Sequence, residues 1–407
     1  MNSVVKKLIL IDITLNIGVW IRNMSILLYV MDVTRNNPFF VSLISIIQFS
    51  PLFLFSFIGG AFSDKWSPKN TMNYSFVLSG LSILLIICLI KIGLWQSVFI
   101  VTFVSVLFSQ FSYPSSMKII KMELEDENVQ STMALLQILR SMYTIFGPVI
   151  GTFLYETLGI EYSLLLNSLT FFISIIILFF IKDKNCYNNI QVQENQNLLS
   201  QIKQGLYYIK ENFMLRNLFI FYLLFGGAIG LIQPLPVFVM IENLSLPKEF
   251  VKWFLMANGI GSVIGGVILY ILKNRLSPLN LMSIGIIICS SMLLLIGFSK
   301  GALLTFVAQF IYGLFIPTVQ TSLNTLVYKN TESSYFGRIN GVFLPTFTGM
   351  MILMISFSGI LKKYLNISVL YSISALIFIL ALIFIIDIRK SSSISPGSCR
   401  AVNEDEN

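Results

Sequence analysis

The chain has 407 residues, of which 56% are hydrophobic and 11% charged, and its mean hydropathy is +0.82; soluble domains carry about 25% charged residues. A water-soluble core could not hide its apolar runs, which recur at roughly the 20 residues needed to cross about 30 Å of hydrocarbon. The net charge of +8 is divided among short loops, which argues against a nucleic-acid partner, and the lack of histidine removes the commonest general base and metal ligand.

The first run, 8–31, follows Lys6 and Lys7. It is too long for a signal-peptide core and lacks a small-residue cleavage site, so it reads as a retained helix. Five more spans follow at 39–62, 71–90, 97–117, 129–155 and 162–181. A polar connection begins with the Asn/Gln-rich stretch 185–197, a flexible linker by composition. Beyond it Leu198, Leu199, Ile202, Leu206, Ile209 and Phe213 recur every three or four residues, which predicts an amphipathic helix on the membrane surface. Spans at 215–241, 251–272, 279–298, 303–327, 336–360 and 367–386 complete a set of twelve. The tail from Ser391 to Asn407 is Ser-rich and then acidic, and is expected to be disordered.

The predicted fold is an all-α polytopic membrane protein with two six-helix bundles. Residues 1–182 form the first bundle, 183–214 a linker with its surface helix, 215–388 the second bundle and 389–407 a disordered tail. Most Lys and Arg outside the spans fall on the side of the termini, which places both termini in the cytoplasm. Lys362 and Lys363 run against that trend. Cys88 and Cys289 lie in spans, Cys186 in the linker and Cys399 in the tail, so no external disulfide framework is implied.

The halves resemble each other. NIGVWIRNMSILLYVM, starting at Asn16, can be laid on FGGAIGLIQPLPVFVM at Phe225; IGG recurs at Ile58 and Ile264, SPKNTM at Ser67 matches SPLNLM at Ser277, and Pro114 pairs with Pro317. The separation is nearly constant, which points to a duplicated unit and a central cavity suited to alternating access by rocking.

Between spans two and three lies GGAFSDKWSPKN, starting at Gly59. Gly60, Asp64, Lys65 and Lys69 match the spacing of the signature loop of the major facilitator superfamily, with Ser67 and Asn70 replacing a glycine and a basic residue. The resemblance implies that the loop braces the two halves on the cytoplasmic side, Asp64 lying near the turn Phe336-Gly337-Arg338. A carboxylate at such a helix N-terminus gains about 0.3–1 kcal/mol, and Arg338 adds a full charge. Lys69 is placed to reach anionic lipid headgroups. Gly147, Pro148 and Gly151 resemble the core of the family's antiporter motif, although Ala134, Tyr143 and Thr152 stand where it has glycines. Proline there kinks the helix and the glycines permit close packing.

With Phe111-Ser-Tyr-Pro114, Asn167-Ser-Leu-Thr-Phe-Phe172 and Gly337-Arg-Ile-Asn-Gly341, the pattern over residues 8–387 resembles the macrolide-efflux and siderophore-exporter branch. That resemblance implies a monomeric secondary transporter in a bacterial cytoplasmic membrane, exporting an amphipathic small molecule of macrolide, siderophore or peptide type, with exchange for protons one option. The arginine often found in span four of the superfamily is absent, which argues against carrying over a standard proton-coupling scheme. An uptake permease for an anionic solute is the alternative within the fold. A membrane sensor or enzyme is the alternative outside it, but no catalytic pairing, metal cluster or phosphate loop favours that class. No cofactor or metal is implied, and the partners expected are the small-molecule substrate and membrane lipids.

Ionisable groups at membrane depth cost upwards of about 2.5 kcal/mol and are functional candidates. Asp12 is the proton-coupling candidate, about one turn into span one. Arg22 lies about 15 Å further along and roughly 80° around the same helix, a poor partner for it. Arg22 and Arg140 therefore lack an obvious carboxylate; the resemblance implies that helices one and five both border the cavity, so both arginines are expected to face it and receive an acidic group of an anionic or zwitterionic substrate. Asn23, Gln233, Asn258 and Gln320, with Gln309 and Asn324, are further candidates for the substrate path, and Pro234 and Pro236 are expected to loosen span seven.

Overall fold

Proline opens several of the helices. The computed structural model describes residues 3–63, 67–124, 126–181, 198–272, 277–332 and 335–394. The first three helices, α1 (Ser3–Thr34), α2 (Pro38–Ser63) and α3 (Pro68–Lys91), each make one crossing, and Pro38 and Pro68 open theirs, where a missing N–H goes unnoticed. Span four, expected as one helix, is two: α4 (Ser97–Ser109) and α5 (Ser112–Glu123). Pro114 has no N–H for the carbonyl of Gln110 and its ring crowds that group, which places the break at Gln110 and Phe111.

Spans five and six share α6 (Asp126–Phe179), whose only non-helical residue is Gly159, at φ 74 and ψ −179. That backbone region is essentially reserved for glycine, so one residue replaces the loop expected between 155 and 162. Past the linker come α7 (Leu198–Glu211) and α8 (Phe213–Ile232). The Asn212 side chain caps α8 by accepting from the amides of Met214 and Leu215 at 2.9 and 3.2 Å, satisfying two otherwise unpaired donors. Span seven breaks at Gln233, beside Pro234, and resumes as α9 (Pro236–Phe238), a π turn (Val239–Asn243) and a 3-10 turn (Lys248–Phe250). The remaining helices are α10 (Val251–Leu272), α11 (Pro278–Phe298), α12 (Ala302–Lys329), α13 (Phe336–Leu361) and α14 (Ile367–Ile394). Pro317 lies inside an unbroken α12, so the prolines paired by the repeat do not make paired breaks.

Ten stretches among the described residues are long and apolar enough to cross a membrane. One of them, Leu135–Phe179, has 45 residues and makes two passes about Gly159; with the 32-residue α1, twelve crossings result. The start of α1, helix α7 and the end of α14 share one face, here the linker face, and the opposite ends of the crossings form the far face.

Two apolar cores form. Leu8, Phe76, Ile119 and Phe171 belong to one; Phe221, Met282, Val319 and Phe378 belong to the other, into which Met31 and Val41 also reach. Lipid tails are as apolar as these side chains, so close packing between small residues holds such helices together. Gly147 and Gly151 accordingly sit against Trp20 and Met24 of α1, while Gly226 and Gly230 of α8 sit against the carbonyls of Phe347 and Met351 of α13. The cores meet where α2 packs on α13 and α6 on α10. Glycines mark both seams, Gly359 beside Ser42 and Gly259 beside Ile145.

Two expectations about the connections change. Helix α7 is docked rather than only surface-lying: Ile209 is 3% exposed and a Cβ at Gly205 would come 2.8 Å from the Arg338 carbonyl, while Leu206 and Tyr207 stay exposed. The expected tail begins as helix, because α14 continues to Ile394; no glycine or proline interrupts it before Pro396, which disfavours helix in the residue ahead of it. The stretch 185–197 and residues 395–407 lie outside the described residues.

Candidate transport pocket

A cavity of about 310 Å³ opens among α1, α3, the α4–α5 break and α6, and of its lining residues only Asp12 and Arg140 are charged. Tyr143 follows Arg140 by three residues, so one face of α6 carries both. Its hydroxyl donates to Asp12 Oδ2 at 3.3 Å, and the Asn16 amide donates to the Asp12 backbone carbonyl at 2.8 Å. The Arg140 guanidinium lies 4.7 Å from the centre of the Tyr113 ring, a contact worth about 0.5–2 kcal/mol. That stacking leaves the N–H edge of the guanidinium available to a planar anion. Ser109, Gln110, Ser112 and Ser116 complete the polar wall, and Pro114 leaves it the carbonyl of Gln110 as an additional acceptor.

Arg140 and Asp12 thus share a pocket, which corrects the expectation that Arg140 has no carboxylate nearby. Among the described residues they do not close on each other as an ion pair. A fixed anion and a fixed cation held apart across one cavity suit a ligand bearing both charges, or an acid that competes for Arg140. Arg22 is not part of this wall: it is 3% exposed, does not line the cavity, and bonds its neighbour Asn23. The expected pair of cavity arginines is therefore one cavity arginine and one buried arginine. Around α1 the rotation from Asp12 to Arg22 carries the second side chain away from the pocket.

The other expected path residues scatter over the second half. Gln233 is exposed at the break in span seven, Asn258 is half-buried with its backbone against Gly313, and Gln320 is exposed. Gln309 is buried, and Asn324 accepts from the Tyr222 hydroxyl at 2.7 Å, joining α12 to α8. None of them lines the Asp12 cavity.

On the linker face, Gly60 falls in the last turn of α2, while Asp64 and Lys65 lie outside the described residues. Lys69 donates to the carbonyl of Ile181 at 2.5 Å, capping the end of span six from the start of span three rather than only facing lipid. Arg338 lies 4.9 Å over the Tyr335 ring, whose other stacking partner is Tyr208 of α7 at 4.4 Å.

The far face is pinned by ion pairs between the halves. Asp32 accepts from the Tyr155 hydroxyl at 2.7 Å and pairs with Lys248; Lys252 reaches both oxygens of Glu156 at 2.9 and 3.0 Å. Lys248 and Lys252 are one turn apart, a spacing readable as a shared face. Lys362 and Lys363 are explained here as well, since Lys362 pairs with Glu242 at 2.9 Å and Lys363 lies 5.5 Å over the Phe39 ring.

Twelve crossings, glycine seams between the halves and a charged pocket inside the first half make this a polytopic membrane transporter in architecture. Residues 9–356 match the model of the Major Facilitator Superfamily, and the chain belongs to that family, which comprises transporters and not enzymes. It is 24% identical over 341 residues to the uncharacterized MFS-type transporter YkuC of Bacillus subtilis (strain 168), covering 80% of this chain and 77% of the relative. It is also 24% identical over 372 residues to YfiS of the same strain, covering 88% and 86%. Among solved structures, a bacterial homologue of the iron transporter ferroportin in an inward-facing state aligns at TM-score 0.76 and 14% identity, covering 95% of this chain and 99% of that one. The nucleoside transporter NupG aligns at 0.72 and 14%, covering 96% and 100%. A POT family transporter in complex with 5-aminolevulinic acid aligns at 0.73 and 13%, covering 96% of each chain. The protein is a multi-pass membrane protein with bacterial relatives.

Proposed function

We propose that this transporter exports an amphipathic small molecule carrying an acidic or zwitterionic group, and that the Asp12–Arg140 pocket receives it from the cytoplasm. The observation that carries this reading is a carboxylate and a guanidinium held apart in one cavity while ion pairs tie the far face together. The bias of basic residues toward the linker face supports that face as the cytoplasmic one, and with it loading from inside. Export as the direction rests on the resemblance to the macrolide-efflux and siderophore-exporter branch. An anion leaving a negative-inside cell gains about 2.3 kcal/mol per charge per 100 mV, so the membrane potential can drive export without an exchanged proton.

The test is transport in oriented proteoliposomes with a panel of acidic, zwitterionic and neutral amphiphiles. Arg140→Gln is expected to lower transport of the acidic members at least tenfold and to leave the neutral ones within about twofold, since a charge-assisted contact is worth about 1.5–3 kcal/mol. Equal transport of an acidic cargo by both proteins removes the anion site. Movement only toward the cytoplasmic side supports the alternative, an uptake permease of the same fold.

A further inference from the structure

Arg22 is a guanidinium that the transport pocket does not use. Its Nε and Nη2 both reach one acceptor, Asn23 Oδ1, at 3.4 and 3.3 Å, longer than the roughly 2.7–2.9 Å of a charge-assisted bond. Its Nη1 is buried without a partner, and among the described residues no carboxylate pairs with it. Stripping an ion of water costs several kcal/mol even after relaxation, so a buried guanidinium in this state calls for a counter-charge.

The neighbouring seam offers more of the same chemistry. One turn below Arg22, Gly18 is pressed against the second limb of α6, where a Cβ would come 2.8 Å from Asn167 Nδ2 and 2.2 Å from Thr170 Oγ1. Helix α1 and that limb run antiparallel. The next turn of α1 toward the far face, with Arg22 and Ser25, therefore meets the preceding turn of the limb, with Ser163. Ser25, Ser163 and Asn167 are 0% exposed, and the hydroxyls of both serines and both polar atoms of the Asn167 amide lack partners. Buried polar groups are paired as a rule, and a cluster of unpaired ones points to an unseen water or ion.

These unpaired groups share the seam with a positive charge and no paired carboxylate, which favours an anion over water alone. The close helix approach at Gly18 leaves no room for a cargo molecule. We propose that Arg22, Ser25, Ser163 and Asn167 hold a resident small inorganic anion of the halide class, which neutralises Arg22 and fastens α1 to the second limb of α6. This site is separate from the Asp12–Arg140 pocket, none of whose lining residues it shares.

Thermal unfolding of the purified full chain in detergent tests it, with gluconate exchanged stepwise for chloride and then for bromide at constant ionic strength. The expected result is a saturable rise in Tm with either halide, since a ligand bound only by the native state stabilises it. Arg22→Gln is expected to abolish the rise, and Arg140→Gln to retain it in full, which separates the site from the cargo pocket. Ser163→Ala, which should fold whether or not Arg22→Gln does, is expected to weaken the apparent halide affinity several-fold. A wild-type Tm indifferent to halide means water alone fills the seam and overturns the proposal. So does a halide response of unchanged affinity in Ser163→Ala and Arg22→Gln, or in Ser163→Ala alone if Arg22→Gln does not fold.

Discussion

Lys252 on α10 holds both carboxylate oxygens of Glu156 on α6, at 2.9 and 3.0 Å, so one ammonium ties the two halves at the far face. Lys248 does the same with Asp32 at the end of α1. Pairs of this exposure are worth about 0.2–1 kcal/mol each, too little to hold the fold but enough to bias two conformers of nearly equal energy. Removing both pairs with Asp32→Asn and Glu156→Gln should shift the equilibrium toward a far-face-open state by roughly two- to thirtyfold. Spin labels at Thr34 and Glu249 read this directly, and a distance distribution identical to that of the unaltered chain would show that these pairs do not act as a gate.

Gly265 and Gly266 are neighbours with opposite surroundings. A Cβ at Gly265 would lie 1.9 Å from the carbonyl oxygen of Leu314, whereas one at Gly266 meets nothing within 4 Å. Helix α10 cannot keep its approach to α12 once a methyl group stands between the backbones. Gly265→Ala should therefore cost about 1–3 kcal/mol, and Gly266→Ala should stabilise by about 0.5–1 kcal/mol, the helix preference of alanine over glycine. Thermal unfolding in matched detergent compares them; equal midpoints for the two variants would contradict the close packing.

Tyr208 and Tyr335 stack at 4.4 Å with 18° between their planes, and Arg338 covers Tyr335 from 4.9 Å. This stack, with Gly205 and Ile209, docks the linker helix on the first turn of α13. Aromatic pairs contribute about 0.5–1.5 kcal/mol beyond their buried area. Tyr335→Ala should raise amide exchange across α7 by roughly two- to tenfold while leaving the interior of α8 unchanged. Exchange in α7 equal to that of the unaltered chain would mean the stack does not hold it.

The crossings were legible because membrane spans announce themselves by length and hydropathy. Pro114 foretold a break in span four only to a reader who weighed it against the long apolar run, while Pro317 sits in an unbroken helix with the same local cue. Of the site, Asp12 and Arg140 stood out as charges at depth, but their meeting did not, since it depends on how α1 and α6 rotate about their axes. Tyr143 was visible only as a departure from a glycine pattern, yet its spacing from Arg140 was the available cue. Glu156 and Lys252 were unreadable as partners because they lie 96 residues apart in the chain, and loop charges carry no local sign of what they face.

The last prediction concerns coupling. Asp12 is the carboxylate of the candidate transport pocket, within reach of the Tyr143 hydroxyl at 3.3 Å, and it shares that cavity with Arg140, which cannot release a proton at physiological pH. If export exchanges cargo for protons, Asp12 is the carrier this pocket offers, and cargo and proton compete for the same pocket. Asp12→Asn keeps the shape and the hydrogen-bonding capacity but cannot cycle a proton. Transport driven by a pH gradient in proteoliposomes should then fall at least tenfold in Asp12→Asn, while exchange of labelled for unlabelled cargo, which needs no proton, continues. Collapsing only the pH gradient separates the two energy sources: loss of net transport in the unaltered chain supports proton exchange through Asp12, and full transport sustained by the membrane potential assigns the driving force to the charge of the cargo itself.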